Sequence, residues 1–132
     1  MTTLGAFAVI FDSSNRVLLC HRTDRDLWNL PGGRVDPGEA PWEAVVREVR
    51  EEVGLEVRVE KLLGVYSVSS RDDLVFSFRC LLVGGELRTS DEADDAAWFA
   101  CSDIPANTSR RQVERIRDAF EHPGELLCRD QS

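Results

Sequence analysis

The alternation of apolar and polar positions opens with an apolar run over residues 4–11, the polar turn Asp12-Ser13-Ser14-Asn15, and a second apolar-rich segment over 16–22. Short apolar runs bounded by turn residues predict two strands joined as a hairpin. Residues 23–38, TDRDLWNLPGGRVDPG, show no period and read as a loop, with Pro37 and Gly38 where a type II turn places them. A helix is expected from Pro41, a favoured first-turn residue, to Val53, with Gly54 as its left-handed terminator. Its cap is weak, because Ala40 has no side-chain acceptor.

Residues 56–67 and 74–83 carry the β-branched and aromatic residues of two more strands, separated by the polar turn 69–73 and closed by Gly84-Gly85. Asp91-Glu92-Ala93-Asp94-Asp95 reads as an acidic loop before a short strand at Ala97-Trp98-Phe99. Val113, Ile116 and Phe120 give residues 110–120 a helical period. Strands on both sides of a central helix, with a second helix near the end, predict an α/β fold in which helices cover a mixed sheet.

On a wheel advancing about 100° per residue from Glu48, Trp42, Val46, Val49 and Val53 fall between about 100° and 160°, an apolar stripe for the core to bury. Glu51 and Glu52 fall at about −60° and 40°, so with Glu48 they share an acidic arc away from that stripe. Most such arcs are ordinary solvated surface. Here Glu48–Glu51 and Glu48–Glu52 are like-charge pairs at helical spacing, each costing ~0.2–0.5 kcal/mol, and Arg47 offsets part of this by pairing with Glu51. A hard divalent cation turns the cluster from a cost into a gain, and oxygen-only donors select Mg²⁺, Mn²⁺ or Ca²⁺ over zinc. Gly32 and Gly33 let the backbone approach a ligand, where a carbonyl could add a neutral oxygen.

Composition narrows the partners. The chain has 132 residues, 24 acidic against 16 basic, and a net charge of −8. An isoelectric point near 4.7 opposes sequence-independent binding to nucleic acid backbones. With 42% apolar residues and a mean hydropathy of −0.26, one soluble globular domain over residues 1–132 is expected. No apolar run approaches the ~20 residues of a membrane span. The first apolar run follows no basic segment and ends at Asp12, so it fails as a signal peptide.

The cysteines, Cys20, Cys80, Cys101 and Cys128, form no C-x-x-C pair, which fits reduced thiols in the cytoplasm. Fifteen of the 16 basic residues are arginine. Bidentate phosphate contacts or genomic base composition would each produce that bias, and the second is favoured. No P-loop or G-x-G-x-x-G fingerprint is present, so a metal ion would have to hold any phosphate.

From Gly33 to Leu55 the sequence reads GRVDPGEAPWEAVVREVREEVGL, which resembles the Nudix box, Gly-x5-Glu-x7-Arg-Glu-U-x-Glu-Glu-x-Gly-U with U aliphatic. Gly33, Glu39, Arg47, Glu48, Val49, Glu51, Glu52, Gly54 and Leu55 fill every specified position. Trp28-Asn29-Leu30-Pro31-Gly32 before the box, and Trp98-Phe99 with Ile104-Pro105 after it, are also similar to the MutT-like family.

The resemblance implies an α/β/α sandwich with a catalytic loop–helix–loop, and a Mg²⁺-dependent hydrolase, with Mn²⁺ as a substitute, that cleaves a diphosphate linkage in a nucleoside diphosphate joined to a group X. It implies Glu51 and Glu52 as metal ligands, Glu48 as ligand or base, Gly32 as a carbonyl ligand, and Arg47 with Glu39 as orienting groups. A further acidic residue comes from a later loop in such proteins. Glu92 is the candidate, ahead of Asp91 and Asp95, and Glu48 and Glu92 both remain open as base.

Trp28 could stack on a nucleobase or simply pack, and Arg22 and Arg34 could contact phosphates or only solvent. Cys20-His21 invites a nucleophile reading that the diphosphate chemistry does not need. Expected substrates are small nucleotides: a noncanonical or oxidised nucleoside triphosphate, ADP-ribose or another nucleotide sugar, or a dinucleoside polyphosphate. Neither a stable nucleic acid complex nor membrane association is expected, and family members often form homodimers. The main alternative is a catalytically silent nucleotide sensor that keeps the box; such a module normally needs an effector domain, for which 132 residues leave no room. A calcium-regulated binding protein fits the carboxylates but neither Arg47 nor the glycine loop.

Overall fold

The computed structural model describes residues 1–132. Eight strands and two helices follow the chain: β1 (Thr3–Ile10), β2 (Val17–Arg22), β3 (Trp28–Asn29), β4 (Gly32–Arg34), α1 (Pro41–Val53), β5 (Leu55–Val68), β6 (Asp73–Gly85), β7 (Ala93–Phe99), α2 (Arg110–Glu121) and β8 (Leu127–Asp130). A five-stranded mixed sheet has the order β4-β1-β6-β5-β8, and a three-stranded antiparallel sheet the order β3-β2-β7. In the larger sheet β1 runs parallel to β6 and β5 parallel to β8, while β1–β4 and β5–β6 are antiparallel.

Strand alternation sends β1 and β2 side chains to two cores. Ala6, Ala8, Ile10, Leu18 and Cys20 join Val45, Val49 and Val53 of α1 on one side. Val9, Val17 and Leu19 join Ile116 and Ala119 of α2 on the other. The sheets are therefore held between two helices as an α/β/α sandwich. No helix is long and apolar enough to cross a membrane. All four cysteines are free, with Cys20 and Cys80 buried and Cys101 and Cys128 exposed.

Helix α1 keeps its expected bounds. Gly54 ends it at φ 77°, and its N–H donates to the Arg50 carbonyl. Ala40 offers the first turn no side-chain acceptor, but the Glu43 carboxylate reaches back to accept from the Ala40 N–H at 3.0 Å, half of a capping box.

Several expectations need correction. The turn after β1 forms, with the Asp12 N–H donating to the Arg16 carbonyl at 2.9 Å. The hairpin does not continue beyond a single Phe11–Val17 bridge, because β1 and β2 part into different sheets. Trp42 lies in the wheel's apolar arc yet is 60% exposed; burial along α1 begins two residues later, at Ala44 and Val45. The loop 23–38 contains β3 and β4, and Asp94-Asp95 belong to β7.

Candidate active site

Helix α1 packs against β1, β4 and β5, so part of its acidic arc turns inward. Glu48 and Glu52, one turn apart, are only 9% and 7% exposed. Close packing against β4 requires Gly33, where a Cβ would lie 2.9 Å from the Glu48 carboxyl carbon. The preceding N–H, of Gly32, donates to Glu52 Oε1 at 2.8 Å. Glu92, exposed and just before β7, completes the group: one carboxylate oxygen from each of Glu48, Glu52 and Glu92 lies within 4.8 Å of the others. Thr23 ties this loop down, its N–H donating to the Glu92 carbonyl at 3.2 Å and its hydroxyl to the Asp91 carbonyl at 2.7 Å.

Arg47 is the hub beside this group. Its Nε and Nη2 donate to Glu39 at 2.7 and 3.0 Å, and Nη1 donates to Glu48 Oε1 and Glu51 Oε2, both at 3.1 Å. Nη2 also donates to the Arg34 carbonyl at 3.2 Å, so one guanidinium spans helix and loop. Pairing with Glu39 raises the Arg47 pKa and depresses that of Glu39.

Electrostatics favour a cation here. Burial, then the neighbouring charges of Glu48 and Glu92, pushes the Glu52 carboxyl up to about 8, against the lowering effect of the Gly32 N–H. Burial also raises Glu48, with Arg47 pulling the other way. The donors are hard oxygens; the nearest soft atom, Cys20 Sγ, lies 3.6 Å from Glu52 Oε2 as a thiol whose pKa burial drives upward. Three carboxylates of this kind fit Mg²⁺ or Mn²⁺ better than zinc.

A family model for the NUDIX domain matches residues 1–120. The chain belongs to the Nudix family. It is 34% identical over 122 residues to the MutT-like protein of Streptomyces ambofaciens, covering 92% of this chain and 79% of that one. With the ADP-ribose pyrophosphatase of Methanocaldococcus jannaschii it shares 40% identity over 103 residues, 73% of this chain and 61% of the relative. The solved structure of an ADP-ribose pyrophosphatase from Streptococcus suis superposes with a TM-score of 0.80 at 26% identity, over 99% of this chain and 100% of that one. As a Nudix hydrolase the protein acts on phosphorus-containing acid anhydrides.

Within the Nudix domain the anticipated residues separate. Glu48, Glu52 and Glu92 come together, and Asp91 and Asp95 stay outside their group. Glu51 also lies outside, its carboxylate half-exposed and turned to Arg47. Trp28 packs edge-on against Phe99 and His21, with ring centroids 5.1 and 5.3 Å away, and lines neither cleft of the site.

Arg22 is bound through Nε and Nη2 to Asp24 and lines two adjoining clefts, while Arg34 lines the larger. The smaller, of about 370 Å³, contains Glu52, Glu92, Gly32 and Cys20. The larger, of about 400 Å³, contains residues that sequence reasoning missed, among them Arg25, Arg71, Arg111, Gln112 and Arg115. Asn29 lines both, and its buried Oδ1 accepts no hydrogen bond from the protein. No local motif joins these positions; only their shared residue type was visible in the sequence.

Proposed function

We propose that the protein is a Mg²⁺-dependent pyrophosphohydrolase of small nucleotides, splitting a diphosphate linkage between a nucleoside phosphate and a second moiety X. The observation that carries this reading is the convergence of Glu48, Glu52 and Glu92 within 4.8 Å beside a glycine loop and two adjoining clefts. Glu48 and Glu52, with the Gly32 carbonyl, would hold the cation. When bound, that cation supplies neutralising charge to the diphosphate oxygens and lowers the pKa of water.

The remaining work falls to the chain itself. Glu92 is exposed, and its carboxylate makes no hydrogen bond to the protein, so it is the group we assign to accept the proton of the attacking water. Water oxygen bonds to one phosphorus as the bridging P–O bond breaks; the products are a nucleoside phosphate and the phosphorylated remainder. Arg47 fixes the Glu48 rotamer, and Arg22 faces the cleft from β2 to orient phosphate oxygens. The names of the two pyrophosphatase relatives support ADP-ribose or another nucleotide sugar as substrate. A noncanonical nucleoside triphosphate fits the same chemistry.

The test is a panel of ADP-ribose, nucleotide sugars, dinucleoside polyphosphates and noncanonical triphosphates in Mg²⁺ or Mn²⁺, with nucleoside monophosphate, phosphate and pyrophosphate resolved by chromatography. Metal-dependent release from at least one class is expected. Tight nucleotide binding with no release from any class would instead identify a sensor.

A further inference from the structure

The larger cleft is basic in an acidic protein. Six arginines line it, Arg22, Arg25, Arg34, Arg71, Arg111 and Arg115, against one carboxylate, Asp73, in a chain of net charge −8. Base composition explains how many arginines a chain has. It does not explain why β2, the loop after it, β4, the turn between β5 and β6, and α2 send theirs to one place. Asp24 and Asp73 pair with Arg22 and Arg71, whereas Arg25, Arg34, Arg111 and Arg115 make no ion pair.

Arg115 is the most constrained of the six. It is 5% exposed, and its guanidinium carbon lies 5.5 Å from the ring centroids of both Phe7 and Tyr66. Its Nε donates to Gln131 Oε1 at 3.1 Å, and the Arg111 Nε donates to the Gln131 carbonyl at 3.2 Å. Burial without a counter-ion pulls the Arg115 pKa down to about 10. A cation buried without an anion is unfavourable unless one arrives with a ligand. Two guanidinia held by one glutamine also present planar donor sets of the geometry that phosphate accepts.

A scissile diphosphate beside Glu48, Glu52 and Glu92 would engage Arg22, which lines both clefts, and Arg34, which follows Gly33. Arg25, Arg71, Arg111 and Arg115 are then in excess. We propose that the arginine cleft binds a second anionic group, a phosphate monoester on the part of the substrate that enters the cleft. The substrate class becomes a diphosphate-linked nucleotide with an additional terminal phosphate. This deepens the pyrophosphohydrolase reading and rests on it for the position of the scissile bond.

The test compares three ligands that differ by one phosphate: ADP-ribose, ADP-ribose 2′-phosphate and ADP-ribose 1″-phosphate. Affinities are measured by titration calorimetry in EDTA, and kcat/KM separately in Mg²⁺. One phosphorylated ligand should bind tighter than ADP-ribose by about tenfold or more, and the identity of that ligand reports which end enters the cleft. Arg71→Ala and Arg111→Ala should each bring the affinity ratio toward one. Arg115→Lys keeps the charge in the core and should lower the ratio through lost bidentate geometry if Arg115→Ala fails to fold.

Equal affinities for the three ligands, or no binding by any, would overturn the proposal. So would arginine variants that weaken all three by one factor, the signature of stacking on the base. A phosphate preference in EDTA with no hydrolysis in Mg²⁺ would overturn the catalytic reading and leave the cleft assignment standing. Hydrolysis of all three at equal kcat/KM would do the reverse.

Discussion

The backbone N–H of Gly32 donates to Glu52 Oε1 at 2.8 Å, joining the glycine loop to the last turn of α1. This contact fixes the carboxylate of one candidate ligand through the same loop whose carbonyl is the candidate for another. Loop and helix are therefore one unit, so displacement of either should be felt at the candidate metal site.

Gly33→Ala tests that coupling. Its Cβ would stand 2.9 Å from the Glu48 carboxyl carbon and 3.0 Å from both carboxylate oxygens. Glu48 has to swing away or the loop has to shift, at a cost of about 1–3 kcal/mol. We expect kcat to fall at least about tenfold, because small displacements at reacting groups are costly, together with a lower melting temperature. Steady-state kinetics and a thermal melt report the two effects.

Arg47→Lys keeps the charge and removes the fork that joins Glu39, Glu48, Glu51 and the Arg34 carbonyl. An ammonium cannot satisfy four acceptors in that plane. A loss of about 10–100-fold in metal affinity or kcat is expected, typical for groups that orient metal ligands. Mg²⁺-dependence curves of wild type and variant separate the two.

Metal should also stabilise the fold. Glu48 and Glu52 are buried and repel each other, so a cation bound only by the folded state adds stability according to its concentration relative to Kd. Mg²⁺ or Mn²⁺ in excess over EDTA should raise Tm, and Glu48→Gln should blunt that rise. A Ca²⁺-specific rise with no response to Mg²⁺ would revive the calcium-binding alternative.

Much of this site was legible because it is local. Five of its residues, Gly33, Glu39, Arg47, Glu48 and Glu52, lie within 20 consecutive positions, and the glycine and proline boundaries of α1 are sequence signals. Glu92 was within reach only through the family resemblance, which implies an acidic residue from a later loop; the acidic stretch before Trp98 supplied the place. The rest was hidden for physical reasons. Strands of two or three residues, β3 and β4, are too short to show a period, and β8 owes its pairing to distant β5. Trp42 obeys the wheel but not the limit of the packed surface, which no wheel contains. The arginine cleft gathers positions from 22 to 115, so only the fold reveals it.

His21 gives a pH signature outside the Glu48, Glu52 and Glu92 group. Its Nε2 meets Asp26 Oδ1 at 2.7 Å and its Nδ1 meets Asp94 Oδ1 at 2.8 Å, with 19% of the side chain exposed. These bonds, to Asp26 first, raise its pKa above the ordinary 6.5, and the bond from His21 depresses Asp26 below 3.8. A raised histidine contributes its full stability below about pH 6.5 and loses it as pH climbs through the folded value. A depressed aspartate contributes above about pH 4 and loses its share as pH falls through its folded value. The stability gap between wild type and His21→Gln should thus be widest between about pH 4 and 6.5 and narrow on the alkaline side. Urea melts across pH measure it; a gap that widens toward pH 8 would contradict this charge assignment.

The most direct measurement is the turnover of Glu52→Gln in Mg²⁺, on whichever diphosphate substrate the wild type cleaves. Glutamine retains an oxygen to accept the Gly32 N–H, so the variant should melt as a folded protein, while the anionic ligand for the cation is gone. The expected result is loss of hydrolysis to background with the fold intact. A folded Glu52→Gln protein that turns over at the wild-type rate would contradict the assignment of this carboxylate cluster as the catalytic metal site.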